Sequence, residues 1–164
     1  VLLCSSTLSL DSARVVREPE QLNNVLDEFA EELKARRSAH KADSSLRFSP
    51  IVIVVDGLAS VIQRAEQKAI ARLEVFIRLG EGIGVTVIGA DTAQNVELAY
   101  YSQNILMETL HEGPLLLTGG SAADHRITDV QTLSKQFPGK FAPDLMILER
   151  DGSRVGIKRM RADS

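Results

Sequence analysis

Two aspartates, Asp56 and Asp91, with Thr92 beside the second, are the residues of this chain best placed to do chemistry. Asp56 closes an unbroken run of isoleucine and valine over residues 51–55. Such a run reads as a strand of a parallel sheet buried on both faces, and the carboxyl end of that strand is where α/β folds hold ligands. A carboxylate there can orient water around Mg²⁺, which makes Asp56 the candidate metal ligand. It can equally cap the helix that starts just after it, because aspartate accepts a hydrogen bond from a first-turn N–H. Asp91 and Thr92 follow a second apolar run, 85–90, and are expected on the same sheet edge as Asp56. Together they form a small polar cluster that could hold a cation, although capping of the next turn is the better use of the second acid.

The phosphate half of a nucleotide site is missing. A phosphate-binding loop requires G-x-x-x-x-G-K-[ST], whose N–H groups cradle the phosphates while its lysine neutralises charge. No segment satisfies it. "TGGSAAD", 118–124, follows a strand but has no lysine, and reads as a tight turn. "GEGIG", 80–84, reads as a helix stop. Where nucleotide-hydrolysing strands often carry a glutamate after the aspartate, this chain has Gly57, so no catalytic residue is assigned. His40, His111 and His125 share no metal-ligand spacing and read as surface or turn positions. Cys4, inside an apolar strand, reads as an inert thiol. Ser5 and Ser6 lack the G-x-S-x-G setting of a hydrolase nucleophile. The basic end Lys158, Arg159 and Arg161 reads as a solvated terminus.

The elements that must position these groups follow from periodicity. "VLLCSS" is a short buried strand. Leu22, Val25, Leu26, Phe29 and Leu33 recur at helical spacing, which predicts a helix over 19–38 opened by Pro19. Glu32 and Arg36 form an i,i+4 pair on it, and residues 38–50 read as a polar loop. A second helix is expected over 59–79, with Ile62, Ala65, Ala69, Leu73, Phe76 and Ile77 on one stripe. With its flanking strands it makes a β-α-β unit in an alternating α/β pattern. Residues 92–101 read as a short helix, 105–110 as a strand, and 114–120 as a strand ending in a glycine turn. Residues 128–139 read as a helix stopped by Pro138 and Gly139, and 144–160 as a hairpin turning at Asp151-Gly152.

The bulk properties exclude several classes. At 164 residues the chain suits one domain, 1–164, with a real core. A net charge of -3 gives no nucleic-acid footprint. A single cysteine points to a reducing compartment, and no apolar run is long enough to cross a bilayer. The chain opens inside a strand-like stretch without an initiator methionine, which reads as a piece of something longer.

In their order, "VVREPEQLNNVLDEFAEELKARR", "SPIVIVVDGLASV", "RLGEGIGVTVIGADTAQ" and "PLLLTGGSAADHRI" followed by the hairpin resemble segments of the FtsK/SpoIIIE family of ring-forming motors. More narrowly they look like the terminal ATPase domain of EssC-type motors of type VII secretion. The resemblance implies a RecA-like P-loop NTPase fold: a three-layer α/β sandwich with a mostly parallel sheet and a C-terminal β-hairpin. It also implies that Asp56 corresponds to the Walker B aspartate. Gly57 then replaces the catalytic glutamate, Glu81 stands where an arginine is common, and Asp91 and Thr92 stand at the sensor positions. Mg-ATP is the family's cofactor, but without Walker A none is expected for this domain. The implied role is regulation, assembly or substrate docking by a non-hydrolysing or weakly nucleotide-binding domain. Its implied partners are other ATPase domains of the same motor and a secreted protein or its signal peptide, with no nucleic acid. The membrane would be reached only through the rest of the polypeptide, at the cytoplasmic side of a bacterial cell membrane. Two alternatives stay open: an active Mg-ATP-hydrolysing domain whose P-loop segment lies outside this chain, and a stand-alone flavodoxin-like interaction module.

Overall fold

The structure, a computed structural model, describes residues 1–80 and 82–158; Glu81, Arg159 and Arg161, singled out above, lie outside the described residues. The strand of isoleucine and valine, β3 (Ile51–Asp56), is hydrogen-bonded on both sides in parallel, by β1 (Leu2–Cys4) and β4 (Val85–Ala90). A short strand not anticipated from sequence, β2 (Arg14–Val16), pairs with β1 and completes the order β2-β1-β3-β4. Its residues lie at the end of a stretch too polar to read as a strand, and only Val16 is buried. Burial of β3 is uneven. Ile53 and Val55 are sealed in the core, while Val52 and Val54 on the other face are only half covered.

Helix α1 (Leu22–Ala42) follows a single 3-10 turn at Pro19 and runs past residue 38, leaving a shorter loop before β3. The expected helix over 59–79 is two helices, α2 (Leu58–Arg64) and α3 (Gln67–Gly80). Ala65 between them is extended although neither it nor Glu66 is a helix breaker. Packing imposes the break. Arg64 ties α2 to Glu18 and Glu20 ahead of α1, while α3 turns to lie on α1 and β4. Gly80 allows the last turn of α3 to meet β4, since a Cβ there would stand 2.6 Å from the Val85 carbonyl oxygen.

After β4 the chain forms α4 (Ala93–Tyr101) and then α5 (Ile105–His111). The latter is a helix where a strand was expected. Asn104 caps it through the Leu106 N–H, and Leu106, Met107 and Thr109 are buried on one side as it packs on α3. A short apolar run is ambiguous between the two periods, and here the cap and the helix-favouring leucines and methionine decide. β5 (Leu115–Thr118), β6 (Leu145–Arg150) and β7 (Ser153–Lys158) form a separate antiparallel sheet, with α6 (Val130–Gln136) beside it over a small core of Leu117, Leu133, Phe141 and Ile147. The hairpin turns at Asp151 and Gly152, both at positive φ as a two-residue turn requires. Among the described residues no helix is long and apolar enough to cross a membrane.

Arg36 fastens the entry side of the parallel sheet. Nearly buried, it donates to Glu32, to the Ser49 carbonyl at 2.6 Å and to the Ile83 carbonyl at 3.2 Å, with its guanidinium 5.5 Å from the centre of the Phe48 ring. The loops leading into β3 and β4 are therefore held from one helix. Removing the donor strands carbonyls away from water at roughly 1–3 kcal/mol each. Arg36→Ala is expected to cost about 2–4 kcal/mol, read as a lower urea midpoint at unchanged slope. Arg36→Lys, whose single nitrogen cannot serve both carbonyls and Glu32 as Nη1 and Nε do together, should recover only part of the loss.

Candidate functional site

Because β1, β3 and β4 are parallel neighbours, the residues just after their ends meet at one edge: Ser5 after β1, Asp56 at the end of β3, and Asp91 with Thr92 after β4. The Ser5 hydroxyl donates to Asp56 Oδ2 at 2.6 Å. Ser5 Oγ in turn accepts the N–H groups of Leu8 at 2.8 Å and Thr7 at 3.2 Å, so the buried serine is fully used. Arg17 pins the loop that carries it, donating to the carbonyls of Ser5 and Leu8 and to the Ser9 hydroxyl. Ser5 is the member of the cluster that sequence reasoning missed. It was considered only as a nucleophile, and its place beside Asp56 follows from the pairing of β1 with β3.

Asp56 does not cap the following helix. The cap position of α2 is Gly57, in the left-handed region at φ 75° with no side-chain bond. The cap comes instead from the neighbouring strand's end: Asp91 Oδ2 accepts the Ala59 N–H at 2.9 Å. Asp91 Oδ1 accepts the Thr92 N–H and the Asn95 side-chain amide, both at 2.7 Å. Thr92 is the N-cap of α4, accepting the Asn95 N–H. The capping role expected of the second acid is thus real, but it is directed first at the preceding helix.

What these groups could offer a Mg²⁺ ion follows from which of their oxygens are already bonded. Magnesium usually takes one or two carboxylates together with substrate phosphates and water. Asp56 has Oδ1 without a hydrogen bond among the described residues, whereas both oxygens of Asp91 are occupied by N–H donors. No group of three His, Cys, Asp or Glu able to hold a metal occurs among the described residues. The glycine turn at 119–120 offers no phosphate cradle either, because its own Asp124 fills it. That carboxylate accepts the Ser121 N–H at 2.7 Å and the Ser121 hydroxyl at 2.8 Å. These bonds hold Asp124 below the usual carboxylate range.

The histidines are more enclosed than expected. His125 is buried, stacked on Phe141, with Nε2 donating to the Gly119 carbonyl. His111, half-buried against Tyr100, reaches the Ile127 carbonyl. Burial, and secondarily the charge of Asp56, pushes the Cys4 thiol up to about 11.

No protein-family model matches the chain, and no curated protein matches it by sequence. Solved structures do. The chain has the mixed α/β fold of P-loop ATPase domains, with a mostly parallel sheet and a C-terminal antiparallel hairpin. It superposes on EssC (ATPases 2 and 3) of Geobacillus thermodenitrificans with a TM-score of 0.72 at 16% identity, over 96% of this chain and 30% of that one. On EccC (ATPases 2 and 3) of Thermomonospora curvata, solved in complex with a signal sequence peptide, the TM-score is 0.64 at 13% identity, over 99% of this chain and 31% of that one. Both neighbours are ATPase regions of the motor type that the sequence resembles. This chain spans about a third of the length of either.

Asp91→Ala should destabilise the protein by ~1–2 kcal/mol through loss of the cap on α2, with faster amide exchange in its first turn. The raised Cys4 pKa has a definite sign. Its contribution is complete below the ordinary thiol value of 9.0 and is lost as pH rises through about 11. Native Cys4 should therefore resist a disulfide reagent at pH 8. The melting midpoint should fall above pH 9 by more than it does in Cys4→Ala.

Proposed function

We propose that this chain is an ATPase-like domain, residues 1–164, of a membrane-anchored FtsK/SpoIIIE-type translocation motor for type VII protein secretion. In this reading it is non-hydrolysing or weakly nucleotide-binding and serves regulation, assembly or substrate docking. Its partners are the other ATPase domains of the motor and a secreted protein or its signal peptide. It works at the cytoplasmic side of a bacterial membrane, reached through the rest of the polypeptide.

The observation that carries this reading is the strand-end cluster. It has the position of a nucleotide edge in the ATPase fold, yet its groups are turned inward: Ser5 holds Asp56, Asp91 caps α2, and Gly57 supplies no acid. Burying phosphate charge against so few donors is costly. The fold likeness to EssC and EccC supports the motor class, and the peptide bound in the EccC complex supports a docking role.

A second reading, an active domain completed by a phosphate-loop segment from outside residues 1–164, draws on β4. That strand has no second neighbour among the described residues, and its exposed Thr86 and Ile88 present neither charge nor proline to block one.

Thermal melts with and without millimolar Mg²⁺-ATP separate these readings. A ligand at about 100 times its Kd stabilises by ~2.7 kcal/mol, and a domain of this size shifts roughly 2–4 °C per kcal/mol. The expected result for residues 1–164 is no shift; a rise of several degrees that Asp56→Asn abolishes overturns the proposal. In the native polypeptide, nucleotide-dependent protection of β4 amides from exchange, lost in Asp56→Asn, would favour the second reading.

A further inference from the structure

A groove of about 840 Å³ lies far from the strand ends, between α1 and α3. Its floor is apolar, built from Leu33, Val75, Phe76, Leu79 and Ile83. Its rim is not neutral. Lys34, Arg37 and Lys41 stand along α1, and Lys68, Arg72 and Arg78 along α3, while no acid lines it among the described residues. This excess of positive charge sits on a chain whose net charge is -3.

The rim cations differ in how they are used. Asp27 takes up Arg72, with Lys68 alongside, and Glu74 pairs with Arg78. Lys34, Arg37 and Lys41 are exposed and, among the described residues, form no ion pair. Their spacing of three and four residues makes one stripe along the helix. Across from it, Ala71, Val75 and Leu79 form an apolar stripe on α3, with Val75 still 39% exposed. At the end of the groove the buried Nδ1 of His40 has no hydrogen-bond partner among the described residues.

We propose that this groove binds an amphipathic helix of a partner protein, its apolar stripe seated on Val75 and Leu79 and its acidic flank facing Lys34, Arg37 and Lys41. The lining from residue 30 to residue 41 of α1 covers about 16 Å, roughly three turns of a guest helix. Ridges of aliphatic side chains accept such a guest. The concave floor is unsuited to a flat anionic bilayer. Of its rings, Phe76 is buried at 2% exposure and His40 is half-buried, and neither gives an exposed platform for nucleic-acid bases. The inference does not depend on the nucleotide reading, since no strand-end residue lines the groove.

The test is fluorescence anisotropy of a labelled 18-residue peptide, leucines at helical spacing and glutamates elsewhere, titrated with the protein. Saturable binding is expected, weakened at least ~tenfold by Arg37→Glu combined with Lys41→Glu and likewise by Val75→Asp. A distant reversal, Lys135→Glu, should leave binding unchanged. Circular dichroism and melting midpoints of the variants exclude misfolding, and the charge-reversed pair, lying wholly on the surface, keeps the test readable if Val75→Asp unfolds. The proposal is overturned by absence of binding at millimolar protein, or by equal binding of a scrambled peptide or of one with lysines for glutamates. Capture of phosphatidylglycerol vesicles or of a single-stranded oligonucleotide in place of the peptide would overturn it too.

Discussion

Strand β3 sets the terms for the rest of the molecule. With a parallel neighbour on each side, its backbone groups are satisfied without water, which lets a segment of only isoleucine and valine lie at the centre. Parallel pairing also requires every connection to return to the same side. Helix α1 makes that return between β2 and β3, α2 with α3 between β3 and β4, and a loop between β1 and β2; the polar residues that end the strands converge because the pairing leaves them nowhere else to go. Ser5, Asp56 and Asp91 are far apart in sequence and adjacent in space for that single reason.

The two ends of this sheet are secured by different means. At the entry side a cation, Arg36, gathers carbonyl oxygens from the loops before β3 and β4. At the exit side an anion, Asp91, gathers N–H groups from α2 and α4. Each uses charge to satisfy backbone groups that regular structure leaves over. The exit-side charge is consequently employed in holding the fold, and only Asp56 keeps an unengaged oxygen. Freeing a second carboxylate at this edge would mean loosening a helix cap.

Much of this was legible from the residue pattern, and the failures have physical causes. The apolar run 51–55 and the helical stripe from Leu22 to Leu33 declare themselves, because burial imposes a period on long elements. Asp56, Asp91 and Thr92 were located at one edge by the rule that parallel strands end together. The short elements were misread. Residues 105–110 carry too few positions for a period to show, and β2 has a single buried side chain. The break at Ala65 has no local signal, since it answers contacts of Arg64 with Glu18 and Glu20 that lie 44 to 46 residues away in sequence. Asp56 was weighed as a helix cap because local sequence favours it; the longer-range bond from Ser5 and the cap from Asp91 take precedence.

Gly57 has an implication for how such a domain could change. The space around it is open, with no atom within 4 Å of where a Cβ would project. A glutamate would therefore fit sterically, yet the left-handed backbone would charge it ~1–2 kcal/mol. Its side chain would also leave the strand in a direction set by that turn. To project as it would from a right-handed backbone, a side chain at 57 would need the peptide plane after Asp56 to rotate as well. That rotation would disturb the bond from the Gly57 N–H to the Ala90 carbonyl that joins the ends of β3 and β4. The main chain at Gly57, more than the room around it, decides which side chains this position accepts.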